Sequence, residues 1–305
     1  MSEKNVWRQE SRAEPAVAMV ERQTPVAEKS STVDVLGQVV AQREAVVRRL
    51  AAVTSVMAVS SGKGGVGKST LTANLAAALA TRSAAVGVVD ADIHGPSAAL
   101  MLGARGQRLE FASNGVRPAV GVADVRVMSM DLFLQDDETA VRWKHPGGLA
   151  DDSYVWSGTL EANVLREFLA DTEWGELDYL LVDMPPGADR FDTLLRLLPE
   201  LSGTLMVTTP AKAAQLTVRR AIAAAQQAGA RILGLVENMA GTTEGDGVGA
   251  LAAESGIPLL ARVPFDPMIA QSTDAGRPSV LTAPETPGAQ SILRLAERLQ
   301  EILSG

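Results

Sequence analysis

Residues 56–79, VMAVSSGKGGVGKSTLTANLAAAL, pass from an unbroken apolar run through a glycine-rich turn into a segment with Leu71, Leu75 and Leu79 at helical spacing. The turn from Ser60 to Thr70 holds four glycines and two lysines in eleven residues. A buried strand, a turn with this many glycines and a helix in direct succession leave few folds open, because the strand needs neighbours and the helix needs a sheet to cover. Gly62-x-x-x-x-Gly67-Lys68-Ser69 fits the phosphate-loop pattern. The backbone amides of Gly62, Gly64, Gly65, Val66, Gly67, Lys68, Ser69 and Thr70 are expected to cradle phosphates, helped by the positive end of the following helix. Lys68 then reaches the β- and γ-phosphates, and the Ser69 hydroxyl coordinates Mg²⁺.

The same letters contain Gly62-x-Gly64-x-x-Gly67, a dinucleotide-binding fingerprint, with Asp90 near the place of a ribose-binding acid. A dinucleotide site has no use for Lys68 and Ser69 together, whereas an Mg-nucleotide needs both, so the phosphate-loop reading is preferred. Lys63 is required by neither pattern.

Beyond this unit the chain alternates. Apolar runs at 56–60, 84–90, 125–129, 178–183, 204–209 and 231–238 are separated by helix-like stretches. Unbroken apolar strands between amphipathic helices predict a doubly wound α/β fold, with a mainly parallel sheet and helices on both faces. Residues 1–33 mix both charges with prolines and read as a flexible tail, leaving 34–305 as one domain whose first element is a helix over 33–53. Residues 103–118 predict turns or a hairpin, and the stretch around 135–154 an excursion over the surface. The closing SILRLAERLQEIL puts Ile292, Leu295, Leu299 and Ile302 on one face, which suits packing on the sheet rather than on a membrane surface.

Asp183 ends the run YLLV and is expected to hold Mg²⁺ through water, as a Walker B acid. Asp90 and Asp92 flank one residue at another strand end, and only one of them is expected to face the phosphate. The net charge of −8 opposes general binding to nucleic acid or anionic lipid. Arg219 and Arg220 form a short basic pair read as a solvated helix face. The chain has no cysteine, which excludes disulfides, thiolate metal sites and a cysteine-ligated iron-sulfur cluster within it. Its two histidines, His94 and His145, are too few for a metal site. No apolar run is long enough to span a membrane and no export signal is seen, so a cytoplasmic location is expected.

GKGGVGKST resembles the deviant Walker A loop of the MinD/ParA/nitrogenase-iron-protein class of ATPases. The resemblance implies ATP as ligand, an ATP-closed homodimer, and a role for Lys63 as a cation reaching the phosphates bound by the other subunit. Within that class the sequence is similar to the Mrp-type ATPases that carry iron-sulfur clusters, over about residues 54–285. DADIHGPS resembles their switch I, WGELDYLLVDMPPG their Walker B and switch II, VWSGT one of their turns, and GLVENMAG and DAGRP their later segments. By that likeness Asp92 positions the attacking water, Asn238 contacts adenine, and Pro264, Phe265 and Asp266 lie near the base. Catalysis is thereby assigned to Lys63, Lys68 and Asp92.

Three departures stand out. The Cys-x-x-Cys that those carriers place after ENM is replaced by AGTTEGDG, their Pro-Pro-Gly-Thr-Gly-Asp reads PPGADRFD, and the 135–154 insertion has no counterpart. The implied function is an ATP-hydrolysing switch that works with an unidentified protein partner in cluster or metallocofactor assembly and holds no cluster on cysteines. The alternatives are a MinD/ParA-like positioning ATPase and a non-hydrolysing, ATP-sensing regulator.

Overall fold

The computed structural model describes residues 35–134, 153–187 and 190–304. The tail expected over 1–33, His145 and all but the last two residues of the 135–154 insertion lie outside the described residues.

The chain enters through α1 (Val35–Leu50), the helix expected ahead of the first strand, and runs into β1 (Val53–Ser61), α2 (Lys68–Thr81) and β2 (Val86–Asp90). A one-turn α3 (Ala98–Met101) leads to a small antiparallel hairpin of β3 (Glu110–Ala112) and β4 (Gly115–Arg117), then to β5 (Ala119–Val120) and β6 (Arg126–Met128). After α4 (Ser153–Asp171) and β7 (Leu177–Asp183) come α5 (Phe191–Leu197), β8 (Gly203–Thr208), α6 (Lys212–Gln227) and β9 (Ile232–Ala240). The chain closes with α7 (Gly247–Glu254), β10 (Leu259–Pro264), α8 (Pro267–Asp274), α9 (Ser279–Thr282) and α10 (Pro287–Ser304). VWSGT, expected as a turn, lies within α4.

Eight strands form one sheet in the order β10-β9-β8-β1-β7-β2-β6-β5, parallel throughout except for the β5–β6 pair. Both faces are apolar, with a period of two. Met57, Val59 and Leu181 point to the side covered by α2 and α10, while Val56, Ala58, Leu180 and Val182 meet α1 and α4 on the other. α6 and α7 extend that second layer over Met206 and Leu235. Hence a residue ending a central strand has no exposed face of its own and must look out from the carboxyl edge of the sheet. That edge is where β1, β2 and β7 bring the sequence-selected acids and the glycine turn together, the usual crevice for ligands in doubly wound sheets.

α2 is buried along almost its whole length, from Leu71 to Leu79. Its alanines let the sheet and the carboxyl-terminal helices approach closely. Asn74, polar and wholly buried, is satisfied on both sides of its amide: Nδ2 donates to Thr70 O and Thr273 Oγ1, and Oδ1 accepts from Ser279 Oγ and Val280 N. An amide with every partner supplied fixes α2 against α8 and α9, where an unsatisfied one would cost about 1–3 kcal/mol. At the far edge, β5 is met by the side chain of Gln107, whose amide donates to Val120 O and accepts from Val120 N.

Candidate nucleotide site

The glycine turn is built by close packing as much as by flexibility. A Cβ on Gly62 would lie 2.2 Å from the backbone of Thr217 and Val218, so only glycine lets the loop lie directly on α6. Gly67 has φ near 78°, in the left-handed region, and opens α2 as a cap with no side-chain acceptor. The amides of the first turn of α2 are therefore left for a ligand. Ser61 holds the loop entrance: its Oγ donates to the Lys63 carbonyl, and its own carbonyl accepts from Gly187 N. Gly64 and Gly65 are exposed, and a Cβ on either would meet nothing.

Beneath the loop, Lys68 Nζ lies 2.7 Å from Asp183 Oδ1 and 3.1 Å from Ser69 Oγ. Thr72, one turn along α2, donates its hydroxyl to the same Asp183 oxygen at 2.9 Å. Both charges of this pair are buried, a state tolerated only because each neutralises the other. The second oxygen, Asp183 Oδ2, is buried and has no hydrogen-bond partner among the described residues. The Asp183 carboxylate and the Ser69 hydroxyl both contact the Lys68 ammonium, and with one carboxylate oxygen left without a donor they form a donor set suited to a hard divalent cation, so Ser69 and Asp183 fit the predicted Mg²⁺.

Asp90 and Asp183 are register partners across β2 and β7. Asp90 is fully buried, with Oδ2 accepting from Ser97 N, Ala98 N and Ser129 Oγ and Oδ1 from Asp92 N. Burial, with the Asp183 charge adding to it, pushes its carboxyl up to about 7 against the pull of those donors. Asp92 is half-buried on the loop after β2 and accepts from Gly95 N. The two acids divide because β2 ends between them: Asp90, the last strand residue, pins the loop internally, and Asp92 stands on the loop itself.

Asn238 and the phosphate loop are in contact, Nδ2 donating to Val66 O at 2.8 Å, close enough that a Cβ on Gly67 would strike it. Beside it, β10 ends at Pro264, Phe265 N donates to Ala240 O, and Asp266 caps α8 by accepting from Met268 N. Phe265 is 59% exposed. The loop after β9, which opens with Gly241 and Thr242, is pinned at several points. Thr242 and Thr243 donate to Met239 O and Pro210 O, Asp246 caps α7, and Arg262 joins Asp246 to the buried Glu237.

Lys63 is half-buried, and among the described residues its ammonium makes no ion pair or hydrogen bond. Arg219 pairs with Glu254 on an exposed face and Arg220 is exposed, in keeping with a solvated helix surface. Sequence reasoning passed over Thr72, Ser129 and Glu161. Thr72 was within reach, four residues from Lys68 and so on the same side of α2. The other two sit on distant elements with no local pattern.

A parallel sheet with a glycine loop, a buried Lys-Asp pair and strand-end acids at its carboxyl edge defines the class of P-loop nucleotide-binding proteins. The profile of the ParA family described as NUBPL iron-transfer P-loop NTPase matches residues 52–150 and 148–300. The chain is 39% identical over 257 residues to an iron-sulfur cluster carrier protein of Saccharolobus solfataricus, covering 80% of this chain and 82% of that one. A nucleotide-binding protein of Archaeoglobus fulgidus in complex with ADP superposes with a TM-score of 0.61 at 33% identity, covering 77% of this chain and 91% of that chain. The septum site-determining protein MinD of Pyrococcus horikoshii, complexed with Mg-ADP, gives 0.60 at 26% identity over 82% and 97%. The chain belongs to the Mrp/NUBPL-type branch of the ParA/MinD P-loop NTPases.

Proposed function

We propose that the protein is an Mg-ATP-dependent homodimeric switch that hydrolyses ATP and acts with a protein partner in iron-sulfur cluster or metallocofactor assembly, without holding a cluster on cysteines. The buried Lys68–Asp183 pair beneath an uncapped helix start carries this reading. A triphosphate gives Lys68 a second anionic partner, so its arrival releases Asp183 for the cation. Bound Mg²⁺ supplies charge neutralisation at the β- and γ-phosphates. The amides from Gly62 to Thr70 hold the phosphate oxygens, Asn238 with Pro264, Phe265 and Asp266 flanks the base, and Asp92 orients water at the γ-phosphate. Lys63, without an anionic partner among the described residues, is available to the phosphates of a second copy, in the manner of an arginine finger.

Support for the assembly role comes from the family and from the carrier relative, and the absence of cysteine is why no cysteine-held cluster is assigned to the chain itself. The test is phosphate release and ATP-dependent dimerisation of the full chain against Lys63→Ala and Lys68→Ala. Lys68→Ala is expected to abolish both, and Lys63→Ala to lower turnover by about a thousandfold, the scale of a trans-acting cation. Unaltered turnover and dimerisation in Lys63→Ala would remove the trans role. ATP-dependent, salt-sensitive retention on DNA or liposomes would favour a positioning ATPase instead.

A further inference from the structure

Glu161, on α4, accepts from two loops at once. Its Oε1 lies 3.0 Å from His94 Nε2, and its Oε2 accepts from Arg190 Nη1. His94 is two residues beyond Asp92 in the loop after β2; Arg190 is the N-cap of α5, on the segment that leads away from Asp183. A carboxylate is acceptor-only and has two oxygens, so each oxygen serves one loop. His94 Nε2 must carry the proton here, and the neutral tautomer suffices for that. The support is firm: Glu161 has an 11% exposed side chain, and the next turns of α4 bury Val164, Leu165, Phe168 and Leu169 against the sheet.

We propose that Glu161 is a positioning residue, a carboxylate clasp that makes the loop carrying Asp92 and the segment following Asp183 respond to nucleotide as one unit. The proposal rests on the nucleotide reading above. Each loop begins at an acid beside the phosphate site, one through Asp90 and Asp92 and the other through Asp183, and Asp90 and Asp183 are adjacent in the sheet. At the sheet edge Ala91 N donates to Asp183 O, and farther out the Glu161 carboxylate joins the two segments again. With both held by one side chain on a rigid helix, displacement of His94 pulls on the same carboxylate that holds Arg190, which is a physical coupling through a contiguous hydrogen-bonded chain.

The experiment compares the full-length wild type with Glu161→Ala and Glu161→Gln, using hydrogen exchange with Mg²⁺ and a nonhydrolysable ATP analogue, and steady-state ATP hydrolysis. The reporting amides are Ser97 and Ala98, bonded to Asp90, and Gly187 and Leu194, bonded to Ser61 and Arg190 carbonyls. In the wild type both pairs are expected to gain protection together. In Glu161→Ala one pair is expected to lose at least about two-thirds of its gain, with kcat down about tenfold and KM for ATP within about twofold. Glu161→Gln keeps one acceptor oxygen and the same shape, so it is expected to fall between the two and to guard against a folding defect. Arg190→Ala added to Glu161→Ala should lower kcat by clearly less than the product of the two single losses, the non-additivity of a shared contact. Equal gains in both pairs in wild type and variants, or additive losses of kcat, would overturn the clasp while leaving the nucleotide reading intact. A wild type in which neither pair responds would overturn that reading and the clasp with it.

Discussion

Lys68 and Asp183, 115 residues apart in the chain, meet at 2.7 Å in the interior, and Thr72 completes the contact on the same oxygen. The sequence places them at a helix start and a strand end; the sheet order, with β7 beside β1, makes them neighbours. This pair sets the electrostatic state of the site before any ligand arrives.

Removing one member should therefore cost stability as well as binding. Lys68→Ala leaves Asp183 buried without its cation, and the nucleotide-free chain is expected to lose about 3 kcal/mol in urea unfolding. Thr72→Val removes one neutral donor and should cost about 1 kcal/mol, with ATP affinity measured by titration calorimetry reduced far less than in Lys68→Ala.

The glycines of the loop should separate by what surrounds them. Gly62→Ala forces a methyl into the backbone of α6, which cannot yield as a side chain would, and is expected to cost about 3 kcal/mol in urea unfolding. Gly64→Ala meets open space in this structure and should leave the unfolding free energy within about 0.5 kcal/mol. If its amide approaches a phosphate as proposed, the same substitution lowers ATP affinity.

Asp90 gives a pH signature with a definite sign. Its folded pKa is raised from 3.8 to about 7, so the folded chain binds more protons than the unfolded one between those values. Its contribution to stability is full below the unfolded value and declines as pH rises towards 7. Asp90→Asn stays neutral throughout, keeps an acceptor for Ser97, Ala98 and Ser129, and should flatten that part of the profile. The difference in urea midpoint between variant and wild type is expected to shift in favour of the variant from pH 5 to pH 8.

Anaerobic incubation with iron and sulfide followed by desalting should leave no visible chromophore on the isolated chain. No thiolate is present, and the loop after β9 is held by hydrogen bonds of Thr242, Thr243 and Asp246. A retained chromophore in the isolated chain would contradict this.

The layers and the phosphate loop were legible because they depend on short-range pattern: period-two apolar strands, Leu71, Leu75 and Leu79, and the spacing of Gly62, Gly67 and Lys68. Asp183 was legible as a strand-end acid for the same reason, whereas Asp92, on the loop past β2, was singled out from Asp90 by likeness alone. β10 was not anticipated, since its six residues include a charged Arg262 whose place is explained only by Glu237 on the neighbouring strand and by Asp246. Glu161 was invisible because its partners lie 67 and 29 residues away, and nothing in the surrounding letters marks one acidic helix residue from another. Asn238 was found by likeness, yet its contact with Val66 O depends on β9 arriving beside the loop, which no local rule supplies.

The Gln107 carboxamide on Val120 has a consequence for how this protein behaves in company. A two-residue border strand would otherwise present a free amide and carbonyl that a passing polypeptide could copy, and a single side chain already answers both. At that margin, crowding offers a stranger no template to extend.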